Sequence, residues 1–111
     1  MSIQFVDLDA QYRAIKAEIH EAINAILDSK DFIHGKSVEV FSRNFAAAQG
    51  AKFCVGASNG TSAITVGLRA LGVGPGDEVI TVANSFFATP EAIAEVFAKP
   101  VFVDCEPSTY S

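Results

Sequence analysis

Apolar residues in the first half of the chain recur with the spacing of amphipathic helices. Between residues 9 and 29 they fall three or four positions apart, and most charged residues occupy the positions between them. This pattern predicts a helix over 9–29 with one buried face. A second stripe, which includes Phe41 and Phe45, predicts a helix over 37–49. Gly50 follows it, as expected of a residue that accepts the backbone angles of a helix end.

The second half of the chain alternates short runs of β-branched and aromatic residues with helical segments. The predicted elements are strands at 52–55, 78–82 and 100–104, and helices over 61–71 and 86–97. Strands that alternate with helices of this length are typical of βαβ units and a parallel sheet. The predicted fold class is therefore α/β, with two N-terminal helices followed by a βαβαβ segment over 52–104.

Length and charge narrow the class of protein. A chain of 111 residues has room for one modest domain, and its 50% of hydrophobic residues is enough for buried strands. The formal net charge is −5, and the eight basic residues are scattered. Because binding to a phosphate backbone needs clustered lysine and arginine, we expect no nucleic-acid partner.

The sequence shows no sign of membrane association or secretion. No segment has the length and apolarity of a membrane span, and the N-terminus lacks the basic and apolar regions of a signal peptide. Cys54 and Cys105 lie in or beside apolar runs, at a spacing that fits neither a metal site nor a redox pair. We expect two buried thiols, no metal and a cytoplasmic protein.

The most informative chemistry follows the predicted strand at 52–55. There the chain passes through Ser58 and Asn59 into the start of a helix. The N–H groups of Gly60, Thr61 and Ser62 would have no acceptor within that helix, and they would lie at the positive end of its dipole. Such a helix start binds anions, phosphate above all. The glycine would allow close approach, and the two hydroxyls could add hydrogen bonds.

The same residues also fit ordinary helix capping. Ser58, Asn59 or Thr61 could accept a hydrogen bond from the first turn without any ligand. Because the motif is short, these residues alone leave both interpretations open.

Several short motifs occur in a fixed order along the chain. They are Phe5-Val6-Asp7-Leu8, Phe32-Ile33-His34-Gly35, Ser58-Asn59-Gly60-Thr61, Gly74-Pro75-Gly76-Asp77-Glu78-Val79-Ile80, Phe86-Phe87-Ala88-Thr89 and Pro100-Val101-Phe102-Val103-Asp104. In this order and spacing the chain resembles the start of the DegT/DnrJ/EryC1/StrS family. Members of this family are pyridoxal-phosphate-dependent aminotransferases acting on nucleotide-linked sugars. The resemblance covers essentially all 111 residues.

The resemblance implies a fold and a set of site residues. The fold is the large domain of a fold-type I enzyme, like aspartate aminotransferase, with a mostly parallel sheet and flanking helices. Residues 1–111 would be its N-terminal segment, with the rest of that domain and the C-terminal domain absent. Gly60, Thr61 and Ser62 would bind the phosphate of pyridoxal 5′-phosphate, and Phe86 would stack on its ring. From the residues alone, a core phenylalanine, like its neighbour Phe87, is the commoner role for Phe86.

The resemblance also implies a reaction and its partners. The intact enzyme would transfer an amino group, with glutamate as donor, to a nucleotide-linked keto-sugar, and it would act as a homodimer. Phe32 and His34 lie in a loop that the family places near the substrate. The Schiff-base lysine would lie beyond this chain, and none of its five lysines matches that position. We therefore expect no catalytic residue here and an inactive chain in isolation.

Two alternatives remain open. A relative that carries histidine in place of the Schiff-base lysine would be a sugar dehydratase using the same cofactor. The chain could also be a truncated, non-catalytic α/β remnant that binds a phosphate ligand or a partner chain. In the family's strand order, the strand at 52–55 does not neighbour the one at 78–82. We therefore expect the chain alone to be poorly stable.

Overall fold

Residues 5–110 are described by a computed structural model. Its elements, in chain order, are α1 (Leu8–Ser29), α2 (Lys36–Ala48), α3 (Gly60–Ala70), β1 (Glu78–Val82), α4 (Ala88–Glu95) and β2 (Lys99–Val103). The chain divides into two compact units, Met1–Cys54 and Val55–Ser111. The predicted α/β class, with parallel strands and flanking helices, is confirmed.

Local capping fixes both ends of α1. The Asp7 carboxylate accepts a hydrogen bond from the N–H of Ala10 at 2.9 Å. At the other end, Lys30 takes a left-handed conformation with φ of 59°, and its N–H donates to the carbonyl of Ile26. No residue of α1 is buried. The expectation of a buried face is therefore wrong for this chain, because only Ile19 and Ile26 of its apolar stripe are even half-buried.

The start of α2 is built around the carboxylate of Asp31. Its Oδ2 accepts a hydrogen bond from the N–H of Ser37 at 2.8 Å. Gly35 precedes the helix, and a Cβ atom at that position would overlap the Asp31 carboxylate. The glycine therefore allows a side chain from the preceding loop to cap α2. Hydrogen bonds from Ser37 hold the pKa of Asp31 below its ordinary value.

The second unit is a parallel two-stranded sheet with helices packed beside it. β1 and β2 pair in register from Glu78 with Lys99 to Val82 with Val103. Helix α4 connects the strands and packs on both, and α3 packs on α4. The core is small: Ile93, only 1% exposed, lies with Val96 and Ala98, and the partly buried residues packed against this cluster are Leu68, Val73 and Val79.

The prediction of a strand at 52–55 is wrong for this chain. These residues are irregular, and Phe53 and Val55 are largely exposed. A strand forms only by hydrogen bonding to a neighbour, and within residues 5–110 the two observed strands pair with each other alone. Cys54 and Cys105 are half-buried free thiols rather than the fully buried ones expected.

Charge on Asp31 should contribute to stability in a pH-dependent way. A carboxyl group whose pKa is lowered on folding stabilises the folded state above its unfolded pKa, and the effect disappears as pH falls through the folded pKa. We expect Asp31→Ala to lower the thermal midpoint at pH 7. The deficit should shrink as the pH falls below about 4, because protonation removes the charge of the wild-type carboxylate while its carbonyl oxygen can still accept from Ser37.

Thermal melts of both proteins, followed by circular dichroism across this range, would measure the effect. Asp31→Asn is the matched control, because it keeps an acceptor for the Ser37 N–H without the charge, and it should lose less than Asp31→Ala. A deficit of Asp31→Ala that stays constant from pH 7 to pH 2 would contradict the assignment.

Candidate functional site

Helix α3 begins at the predicted anion-binding motif. Asn59 has extended backbone angles, and its side-chain oxygen accepts a hydrogen bond from the N–H of Ser62 at 2.9 Å. Among the three capping residues considered from the sequence, the structure therefore selects Asn59. One of the three amides proposed for phosphate is occupied by the protein's own side chain.

The other two amides remain available. Within residues 5–110, the N–H groups of Gly60 and Thr61 have no acceptor. A Cβ atom at Gly60 would meet nothing within 4 Å, and its φ lies outside the left-handed region. Neither backbone conformation nor internal packing therefore requires glycine there. The open space beside two unpaired amides fits an anion, so these residues can accommodate a phosphate group.

Hydroxyl groups surround the same helix start. The Oγ atoms of Ser58 and Ser62 are hydrogen bonded to each other at 3.2 Å, and Asn59 Nδ2 donates to Ser58 Oγ at 3.3 Å. The side chains of Thr61 and Ser62 are half-buried. This network orders the side chain of Asn59 while the first two amides of the helix stay free.

Phe86 lies in the segment that joins β1 to α4, and its side chain is 80% exposed. The alternative role as a core phenylalanine therefore finds no support in this chain. Its neighbour Phe87, expected to be a core residue, is also largely exposed. Phe87 rather than Phe86 lines a cavity of about 330 Å³, together with Val82, Ala83, Ser85, Pro90 and Phe102.

Helix α3 leads into the amino end of β1, whereas Phe86 follows its carboxyl end. A short turn over 71–77 joins the end of α3 to the start of β1. Helix α3 also packs on α4, the helix that follows Phe86. Ligands of α/β sheets bind outside the carboxyl ends of the strands. Phe86 therefore lies in the connection that leaves the carboxyl end of β1, where a ligand is expected.

Phe32 and His34 belong to the other unit. Both lie in the loop between α1 and α2 and both are exposed, and His34 has a positive φ of 47°. The structure thus presents them at the surface of the first unit, whereas the helix start with its free amides lies in the second.

Lys99 does not suit cofactor attachment. Its Nζ lies 2.7 Å from Glu78 Oε1, at the amino ends of the two strands. The hydrogen bond from Lys99 to Glu78 raises the pKa of the lysine. A lysine that attacks a carbonyl needs a lowered pKa. The pKa of Lys99 is raised instead, and the residue lies at the amino ends of the strands rather than at their carboxyl ends.

One polar contact was missed by the sequence reasoning. Thr65 Oγ1 donates to Glu95 Oε2 at 2.6 Å and joins α3 to α4 across 30 positions of sequence. No periodic pattern reveals such a pair. The one available signal was Glu95 itself, an acidic residue at the end of α4 with no basic residue in that turn. Acidic side chains are unfavourable at the negative end of a helix dipole.

None of the helices within residues 5–110 is long and apolar enough to cross a membrane. Residues 5–110 contain no group of three histidine, cysteine or acidic side chains placed to hold a metal ion.

Within residues 5–110 the second unit is thus an α/β arrangement of parallel strands, in which α3 begins with two amides that lack an acceptor. The chain belongs to the DegT/DnrJ/EryC1/StrS aminotransferase family, which it matches over residues 13–111. The resemblance inferred from the motifs is thereby confirmed.

Individual relatives sharpen this assignment. A pleiotropic regulatory protein of Geobacillus stearothermophilus is 45% identical over 111 residues, which are 100% of this chain and 30% of that protein. The UDP-2-acetamido-2-deoxy-3-oxo-D-glucuronate aminotransferase of Pseudomonas aeruginosa is 43% identical over 98% of this chain and 30% of its own length. The chain therefore spans about 30% of the length of these curated relatives.

A solved structure agrees with the fold. The crystal structure of NtdA from Bacillus subtilis, with the cofactor PMP bound, matches this chain with a TM-score of 0.89. The two proteins are 33% identical, and the match covers 97% of this chain and 25% of NtdA.

Removal of the Asn59 cap should destabilise α3. We expect Asn59→Ala to lower the free energy of unfolding by about 1 kcal/mol, the usual cost of losing a side-chain cap. Asn59→Asp is the matched control, because aspartate caps helices as well as asparagine does. Urea unfolding of the three proteins would measure the difference. Equal stability of Asn59→Ala and wild type would show that the hydrogen bond to Ser62 contributes nothing.

Proposed function

We propose that this chain forms the phosphate-binding part of a pyridoxal-phosphate-dependent sugar aminotransferase. The observation that carries the proposal is the pair of free amides at Gly60 and Thr61 beside open space. Membership of an aminotransferase family supports it, as do a relative named as a nucleotide-sugar aminotransferase and a similar structure with PMP bound. The acceptor class is a nucleotide-linked keto-sugar, and the amino donor is glutamate.

The phosphate group is held by the start of α3. The N–H groups of Gly60 and Thr61 donate to two phosphate oxygens, and the dipole of the helix favours the negative charge. The hydroxyl of Thr61 adds a donor beside them, and the hydroxyl of Ser62, which accepts from Ser58, donates its own proton as another. Ser62 contributes no amide, because Asn59 already accepts that hydrogen bond.

The ring of the cofactor is positioned by Phe86. The exposed phenylalanine lies next to the carboxyl end of β1, and a stacked aromatic pair contributes about 0.5–1.5 kcal/mol beyond the area it buries. When bound, the cofactor supplies the electron sink that transamination needs. No lysine of this chain is assigned to its attachment, and we propose that this group comes from outside these 111 residues.

The substrate and the assembly extend the proposal. Phe32 and His34 form the surface that contacts the nucleotide sugar, with the imidazole of His34 donating to a sugar or diphosphate oxygen. The active enzyme is a cytoplasmic homodimer, and residues 1–111 are part of its cofactor-binding large domain.

A side chain at Gly60 should block phosphate binding without harming the fold. We expect Gly60→Val to fill the open space and weaken binding of pyridoxal 5′-phosphate at least tenfold, since each tenfold loss corresponds to about 1.4 kcal/mol. Fluorescence titration with the cofactor, repeated with inorganic phosphate as competitor, would measure it. Circular dichroism would establish that the variant is folded.

Gly67→Ala provides the matched control within the same helix. A Cβ atom at Gly67 also meets nothing within 4 Å, but the position lies far from the helix start. This variant should bind like wild type and be slightly more stable, because alanine favours helix by roughly 1 kcal/mol over glycine. Equal cofactor affinity of folded Gly60→Val and wild type would refute the phosphate site.

A further inference from the structure

Thr65 is the one polar residue that is buried among the described residues, with 8% of its surface exposed. It lies in the second turn of α3, and neither capping nor the proposed phosphate contacts use its side chain. Its Oγ1 lies 3.1 Å from the carbonyl oxygen of Thr61 and 2.6 Å from Glu95 Oε2. The side chain therefore lies between the first turn of α3 and the last residue of α4.

The hydroxyl of Thr65 can satisfy only one of these acceptors at a time. It carries a single proton, and the shorter contact is to an ionised carboxylate, which forms the stronger hydrogen bond. The proton therefore goes to Glu95. Without Glu95, the hydroxyl would donate back to Thr61, a bond that bends helices.

The position of Glu95 supports a specific role for this contact. The residue ends α4, where no basic side chain offsets its charge against the helix dipole. An acidic residue at the unfavourable end of a helix needs a compensating interaction elsewhere in the structure. The hydrogen bond from Thr65 is the compensation that this chain provides, and it ties α4 to the helix whose first turn carries the free amides.

We propose that Thr65 and Glu95 are positioning residues for the cofactor phosphate. By accepting the proton of Thr65 in place of the Thr61 carbonyl, Glu95 keeps the first turn of α3 regular, with the N–H groups of Gly60 and Thr61 directed at the anion. The same contact fixes α3 against α4, the helix that follows Phe86. The inference rests on the proposed phosphate site, which it extends to residues that touch no ligand.

Four variants of the full chain would test the proposal. Thr65→Val and Glu95→Ala remove the contact, Thr65→Ser keeps the hydroxyl, and Glu95→Gln keeps an acceptor without charge. Titrations with pyridoxal 5′-phosphate and with inorganic phosphate give the affinities. We expect Thr65→Val and Glu95→Ala to bind both about tenfold more weakly, as for loss of a hydrogen bond to a charged group. Thr65→Ser should bind within about twofold of wild type, and Glu95→Gln should fall between them.

A ligand-free measurement separates this inference from the proposed function. The amide resonances of Gly60 and Thr61 should shift in Thr65→Val relative to wild type, and Thr65→Ser should restore them. A general loss of stability would not give this pattern, because it would lower the melting temperature without selecting these two amides. If folded Thr65→Val shows wild-type resonances and wild-type affinity, the inference is wrong while the phosphate site stands. If wild type binds neither ligand, the proposed function fails, and the resonances alone decide whether Thr65 controls the turn.

Discussion

The first turn of a helix contains N–H groups that have no acceptor inside the helix, and in α3 the protein itself satisfies only part of this demand. Asn59 accepts the hydrogen bond of Ser62, and the amides of Gly60 and Thr61 remain without an acceptor in the described chain. Unpaired donors are tolerated where water or a ligand reaches them. The absence of a side chain at Gly60 leaves such access open. Capping and anion binding are thus complementary uses of one turn.

In the second unit, only a few packed residues fix the position of the first turn of α3. Ile93, Val96 and Ala98 hold α4 against the sheet. Helix α3 packs on α4, and a short turn joins it to β1. With so small a core, single polar contacts matter more for the position of α3 than they would in a larger domain. The buried hydroxyl of Thr65, bonded to Glu95, is the contact best placed to set that position.

Local pattern in the sequence determined much of this structure. Each of the four predicted helices is observed: three have bounds shifted by one residue, and the fourth, predicted over 86–97, extends from Ala88 to Glu95. The strand at 78–82 is found as predicted, because its apolar run has a partner in β2. The segment predicted as a strand at 52–55 is also largely apolar, but within residues 5–110 it has no neighbour to bond with and is irregular. Periodicity reports what a segment prefers, whereas a strand also needs a second segment beside it.

In the candidate site, too, the local features could be predicted from the sequence and the long-range contacts could not. The helix start at Gly60 was visible because its chemistry is local, but the residue that would cap it could not be chosen among three neighbours. The contact of Thr65 with Glu95 joins positions far apart in sequence, so only the structure reveals it. The central claim is most directly tested by titrating the isotopically labelled chain with inorganic phosphate and following its amide resonances. The account predicts saturable shifts that are largest at Gly60 and Thr61, and shifts absent there or spread evenly over the chain would contradict it.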